Sequence, residues 1–163
     1  MTAYYVTWGE ATVKLTWKKD FNPPIELVTS IHGFCFKDGK IMLVELDQRG
    51  WDIPGGHLEQ GETPEQCFQR EVLEEGCVEG DLLFLGAVEI DHHENPTWSE
   101  TSKYPVVGYQ LFYRMDITKT HPFEAKYESS RRVFVSTMEI ANYYNMPDIH
   151  QEIVTYALEL REK

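Results

Sequence analysis

A chain of 163 residues, 42% hydrophobic and 13% aromatic, carries enough apolar material for a core of its own and need not rely on disulfides. Its formal net charge of −12, from 15 basic and 27 acidic residues, repels polyanions at long range and argues against a general nucleic-acid surface. A small anionic substrate stays compatible with that charge where metal cations mediate the contact.

The N-terminal stretch alternates apolar and polar residues, lacks the basic-then-apolar layout of a secretion signal, and reads as two strands within Val6 to Trp17 around a glycine turn. Asn22-Pro23-Pro24 breaks the chain. Leu27 to Phe36 and Ile41 to Leu46 read as strands joined by the hairpin turn Lys37-Asp38-Gly39-Lys40. A short extended piece, Trp51 to Ile53, leads into Pro54-Gly55-Gly56. A helix follows: Thr63 suits its N-cap, Pro64 its first position, Gln66 completes a capping box, and Gly76 is its natural stop.

Strands are then expected at Leu82 to Ile90 and Val106 to Asp116, separated by the polar loop Asp91 to Lys103, with a short strand at Arg131 to Val135. Helical stretches are expected at Met138 to Tyr144 and from Asp148 to the end, where Ile149, Ile153, Tyr156, Ala157 and Leu160 share one face. This order predicts an α/β fold with a central mixed sheet and helices on its faces, as one domain over residues 1–163. No apolar run is long enough to span a membrane, and Cys35, Cys67 and Cys77, without zinc-ligand spacing, read as reduced thiols of a cytoplasmic protein.

The chemistry is concentrated between Gly55 and Val78. Glu71, Glu74 and Glu75 share one helix face and lie at its negative end, where their mutual repulsion costs about 0.2–0.5 kcal/mol per pair and the dipole adds about 0.3–1 kcal/mol. A bound hard cation reverses both terms, because carboxylate oxygens are the ligands magnesium accepts. Cys67 lies on the same face with Phe68 and Val72 at its flanks, so the acids border buried surface. Gly55-Gly56 lets the backbone approach a ligand and offers carbonyls as further ligands.

These residues resemble the box of the Nudix hydrolases, G-x5-E-x7-R-E-U-x-E-E-x-G-U, with U a bulky apolar residue. Gly56 opens it, Glu62, Arg70, Glu71, Val72, Glu74, Glu75 and Val78 follow at the family's spacing, and one position departs: Cys77 stands where the box has glycine, with Gly76 one residue earlier. The departure predicts a shifted helix end. The resemblance implies a Nudix-type α/β/α sandwich and Mg2+- or Mn2+-dependent hydrolysis of a nucleoside diphosphate-linked substrate. A MutT-like nucleoside triphosphate leads, with 8-oxo-dGTP among the candidates. ADP-ribose or a nucleotide sugar, an RNA 5′ end, and a non-catalytic nucleotide-binding regulatory module are the alternatives. It further implies that Glu71, Glu74, Glu75 and the Gly55 carbonyl hold metal, with Glu71 alternatively the base. Glu62 and Arg70 pair to fix the loop on the helix. Glu128, five residues before the strand Val133 to Val135, is the first candidate for an acid from outside the box, and Glu124 the second. The partner is a small nucleotide, with no membrane contact and a homodimer open.

Other residues carry less. His92 and His93 read as loop residues, since no ligand spacing supports zinc. Tyr4, Tyr5, Trp8 and Trp17 read as core or sheet-face aromatics, and only Trp51, close to the glycine pair, is a candidate for stacking on the substrate. Cys67 lacks a basic partner and is no nucleophile.

Overall fold

The computed structural model describes residues 3–161. In chain order the strands are β1 (Ala3–Trp8), β2 (Ala11–Lys19), β3 (Val28–Lys37), β4 (Lys40–Leu46), β5 (Gly50–Asp52), β6 (Gly55–Gly56), β7 (Val78–Asp91), β8 (Val107–Thr120) and β9 (Ser129–Ser136). Helix α1 (Pro64–Gly76) lies between β6 and β7, and α2 (Asp148–Arg161) ends the described chain; the stretch expected to be helical near Met138 is a 3-10 segment, Thr137–Asn142. The sheet runs β1-β2-β7-β8-β3-β4-β5, with β6 paired to β3 and β9 to β4. Only β3 and β8 are parallel, so the sheet is mixed.

Alternation along β3 and β4 assigns the two faces. Cys35, Met42 and Val44 point to one side and pack on Cys67, Phe68 and Val72 of α1. Phe34, Phe36, Ile41 and Leu43 point to the other and pack on Ile149, Ile153 and Ala157 of α2. One helix on each face makes the α/β/α sandwich. No helix among the described residues is long and apolar enough to cross a membrane.

Several strands outrun their sequence limits, β7 and β8 the most. β7 begins at Val78, four residues before the expected Leu82, because its polar start pairs with the extension of β8 from Ile117 to Thr120. Gly80 makes this possible: a Cβ there would collide with the Asp116 carbonyl, and the register shifts beside it.

Candidate active site

Helix α1 starts as its sequence dictates. Gln66 N–H donates to Thr63 Oγ1 at 3.1 Å and Thr63 N–H donates to Gln66 Oε1 at 3.0 Å, a reciprocal cap. Such a cap contributes about 1 kcal/mol. Its other end corrects the expectation of a shifted stop. Gly76 remains helical and buried, and a Cβ on it would collide with the Met42 methyl, so its smallness serves packing. Cys77 itself adopts the left-handed conformation, φ 57° and ψ 41°, and closes the helix with its N–H on Leu73 O. A non-glycine residue held there costs about 1–2 kcal/mol. The last carbonyls are satisfied from β9: Ser129 Oγ donates to Glu75 O at 2.6 Å, and Arg132 Nη1 to Gly76 O at 2.8 Å.

Those bonds carry Glu128, the residue before β9, to the mouth of the helix. A cavity of about 600 Å³ is lined by Gly55, Gly56, Glu71, Glu128, Arg49 and Arg70. Glu124, the other candidate, lies elsewhere, on an exposed ion pair with Lys126. A Cβ on Gly56 would meet Glu71 Oε1, so a side chain there would push the Glu71 carboxylate from its place. Gly55 N–H donates to Glu75 Oε1 at 3.0 Å, whereas Glu75 Oε2 is buried with no hydrogen-bond partner among the described residues.

Burial pushes the Glu75 carboxyl up to about 8, against the pull of the Gly55 N–H and with the help of the neighbouring Glu71 charge. Burial also raises Glu71; its bond to Arg70 opposes that, and Glu74 and Glu128 add to it. Arg70 grips Glu62 with two bonds, Nε to Oε2 at 2.6 Å and Nη2 to Oε1 at 3.0 Å, which hold the Glu62 carboxyl below its ordinary range. Its Nη1 reaches Glu71 Oε1 at 2.9 Å and Glu74 Oε2 at 3.4 Å. Arg70 thus ties the loop to the helix and balances four carboxylates at once, Glu59 included at 3.6 Å.

The expected gathering of Glu71, Glu74 and Glu75 is corrected in one respect. Among the described residues no three His, Cys, Asp or Glu side chains close into a ligand cage. Glu71 lines the cavity, Glu75 lies beneath Gly55, and Glu74 borders a separate groove with Leu73, Cys77 and Glu79. Arg70 Nη1 is the shared counter-ion of Glu71 and Glu74. The donors still fit a hard divalent cation. They are all oxygens, one of them buried and unpartnered, beside a backbone that a glycine leaves open.

Trp51, the candidate stacking residue, is not among the residues that line this cavity. Its ring packs edge-on against Tyr143 at 5.3 Å and under the Arg131 guanidinium at 5.2 Å. Pairing of Glu45 with both Trp51 and Arg131 puts it on the outer strands. Burial pushes the Cys67 thiol up to about 12, and its Sγ lies 3.4 Å from His57 O, so it stays protonated. His93 contacts Asp91 and His92 contacts Asn95 within the loop.

Other residues at the site were not legible beforehand. A second cleft of about 600 Å³ is lined by Tyr4, Tyr5, Asp52, Tyr144 and His150, and meets the carboxylate cavity at His32 and Gln110. A cavity of about 240 Å³ between Trp8, Tyr104 and Pro105 shares Ser30, His57 and Gln110 with it. His32 and Gln110 lie on neighbouring strands, brought together by the parallel β3–β8 register, which no local motif encodes.

A family model described as the NUDIX domain matches residues 29–156. The chain belongs to the NUDIX family. A MutT-like protein of Streptomyces ambofaciens is 38% identical over 55 residues, which are 33% of this chain and 36% of that protein. An RNA pyrophosphohydrolase of Aeromonas hydrophila subsp. hydrophila is 36% identical over 56 residues, 34% of this chain and 29% of that one. The chain thus matches about a third of the length of these curated relatives. Among solved structures, the Bacillus subtilis pyrophosphohydrolase BsRppH superposes with a TM-score of 0.70 at 20% identity, over 98% of this chain and 97% of that one. At that identity the likeness shows the shared NUDIX fold.

Proposed function

We propose that this NUDIX chain is a Mg2+- or Mn2+-dependent hydrolase that splits a phosphoanhydride bond of a nucleoside triphosphate, giving the monophosphate and pyrophosphate. The observation that carries this reading is the cavity in which Glu71 and Glu128 face the Gly55-Gly56 backbone, with the bare, buried Glu75 Oε2 behind it. The MutT-like relative supports a triphosphate as the substrate.

Glu71, Glu75 and the Gly55 carbonyl would hold the metal, with Glu74 joining once Arg70 Nη1 yields. The cation, when bound, neutralises phosphate charge and lowers the pKa of a bound water. The chain's own residues supply position. Gly56 keeps backbone and Glu71 in contact, and Arg70 and Glu62 lock the loop on the helix. Water attacks phosphorus, the P–O bond to the leaving pyrophosphate breaks, and the water's proton passes to a cavity carboxylate, Glu71 or Glu128. Phosphoryl transfer is served chiefly by such positioning and charge neutralisation.

A second reading is a diphosphate bridging two organic groups, as in ADP-ribose or a nucleotide sugar; an RNA 5′ triphosphate is a third, which shares the polyphosphate chemistry of the first reading and differs in the size of the group behind it. The second is favoured by the two clefts that open from the cavity at Gln110. Retention of Glu71, Glu74 and Glu75 speaks against a binding-only module. Product analysis by mass, over nucleoside triphosphates (8-oxo-dGTP included), ADP-ribose, dinucleoside polyphosphates and 5′-triphosphorylated RNA, tests all three readings. Monophosphate and pyrophosphate from triphosphates, with Mg2+ and not with EDTA, is the expected result. No Mg2+-dependent product from any member would overturn the assignment.

A further inference from the structure

Five arginines have described side chains, and four are engaged. Arg70 holds Glu62, Glu71 and Glu74; Arg114 binds Asp116 and Ala157 O; Arg131 binds Glu45; Arg132 binds the helix-end carbonyls. Arg49 is different. Its side chain makes no ion pair and no hydrogen bond among the described residues, although it lines the carboxylate cavity with Glu59, Glu71 and Glu128. An arginine among acids that pairs with none of them keeps its whole fork of donors available.

Its place in the fold is defined. It sits in the turn between β4 and β5, where its backbone N–H bonds Leu46 O at 3.2 Å, between Gln48 and Gly50 at φ 70° and 82°. Its charge is felt on both sides of one wall, by Glu75 behind the cavity and by His32 and Asp52 in the adjoining cleft. Among the described residues no other lysine or arginine but Arg70 lines either space, and Arg70 is saturated by carboxylates. A polyphosphate running from the cavity to the cleft would therefore meet one free guanidinium on its way.

We propose that Arg49 grips the phosphate nearest the nucleoside, with the nucleoside seated in the cleft of Tyr4, Asp52 and Tyr144. This rests on the reading of the site as a phosphoanhydride hydrolase. It adds a substrate contact from outside the box, and it sets the direction in which the polyphosphate lies.

The test compares Arg49→Ala and Arg49→Lys with the parent chain by steady-state kinetics on a nucleoside triphosphate, and by calorimetric binding of a non-hydrolysable methylene triphosphate with and without Mg2+. A charge-assisted contact of this kind corresponds to a change of about 10- to 100-fold. Arg49→Ala is expected to raise KM and weaken analogue binding by that factor, with a smaller change in kcat and an unchanged melting temperature. Arg49→Lys is expected to recover part of the loss. Unchanged analogue affinity and KM in Arg49→Ala would overturn the proposal, as would a fall in kcat alone. If the parent chain turns over no substrate yet Arg49→Ala still loses analogue binding, the hydrolase reading falls and the grip of Arg49 stands.

Discussion

Replacing Glu75 with glutamine should separate stability from activity in opposite directions. The Glu75 side chain is 2% exposed, one of its oxygens has no partner, and burial pushes it up to about 8 from an ordinary 4.5. In the metal-free protein at pH 7 the folded state therefore holds a proton that the unfolded chain releases. Each pH unit between 4.5 and 7 costs about 1.4 kcal/mol, so the carboxyl burdens the fold by at most about 3 kcal/mol at that pH. Glutamine has no such burden. Its carbonyl can still accept the Gly55 N–H, but its buried amide N–H groups need partners, at about 1–2 kcal/mol. Glu75→Gln should thus be about 1–2 kcal/mol more stable than the parent chain in urea unfolding at pH 7 with EDTA. The sign follows from the raised value: the parent's favourable share is complete below pH 4.5 and is lost as pH climbs toward 8. The advantage should vanish at pH 4.5 and below. Saturating Mg2+ should stabilise the parent and not the variant, and turnover should be nearly abolished. Parallel stability curves from pH 4 to 8 would refute the reasoning.

Gly76→Ala should lower stability by about 1 kcal/mol, the cost of displacing Met42 outweighing better helix propensity; a gain in urea unfolding would mean that Met42 yields freely. Trp51→Ala should cost about 1–2 kcal/mol through its lost contacts with Tyr143 and Arg131 and leave KM unchanged. A marked rise in KM would return Trp51 to the substrate. Burial holds His32 down to about 3 and His150 to about 4, from an ordinary 6.5. Both stay neutral when folded while the unfolded chain takes up protons, so stability should fall as pH drops from 6.5 toward 4, by up to about 1.4 kcal/mol per pH unit for each ring. His32→Gln and His150→Gln should each flatten that acid limb in urea titrations; an unaltered slope would contradict it.

What could be read from the chain was what is decided locally. The Thr63–Gln66 cap, the Asp38-Gly39 hairpin and the acid-rich end of α1 depend on residues within a few positions of one another. Glu128 was placed from its spacing to a strand, but its arrival at the cavity depends on the β4–β9 register and on Ser129 bonding the helix end. Nearness in sequence to Gly55 does not encode which face of β5 Trp51 occupies, nor its packing on Tyr143. The left-handed turn at Cys77 is not written in the glycine beside it, since Gly76 stays helical and lies against Met42. Arg49 in its polar turn is indistinguishable in sequence from a solvated arginine, and only the cavity beside it sets it apart.

The segment between β8 and β9 is fastened at both ends. His121 N–H bonds Cys77 O at 2.9 Å, and Ser129 Oγ bonds Glu75 O. Between those anchors the stretch is largely exposed. The stretch also leans on the helix end, with Glu124 N–H on Cys77 Sγ at 3.5 Å and the Phe123 ring 5.7 Å from the Arg132 guanidinium, so a change in the length of residues 122–127 would be felt at Glu128, the next residue, and through it at the cavity.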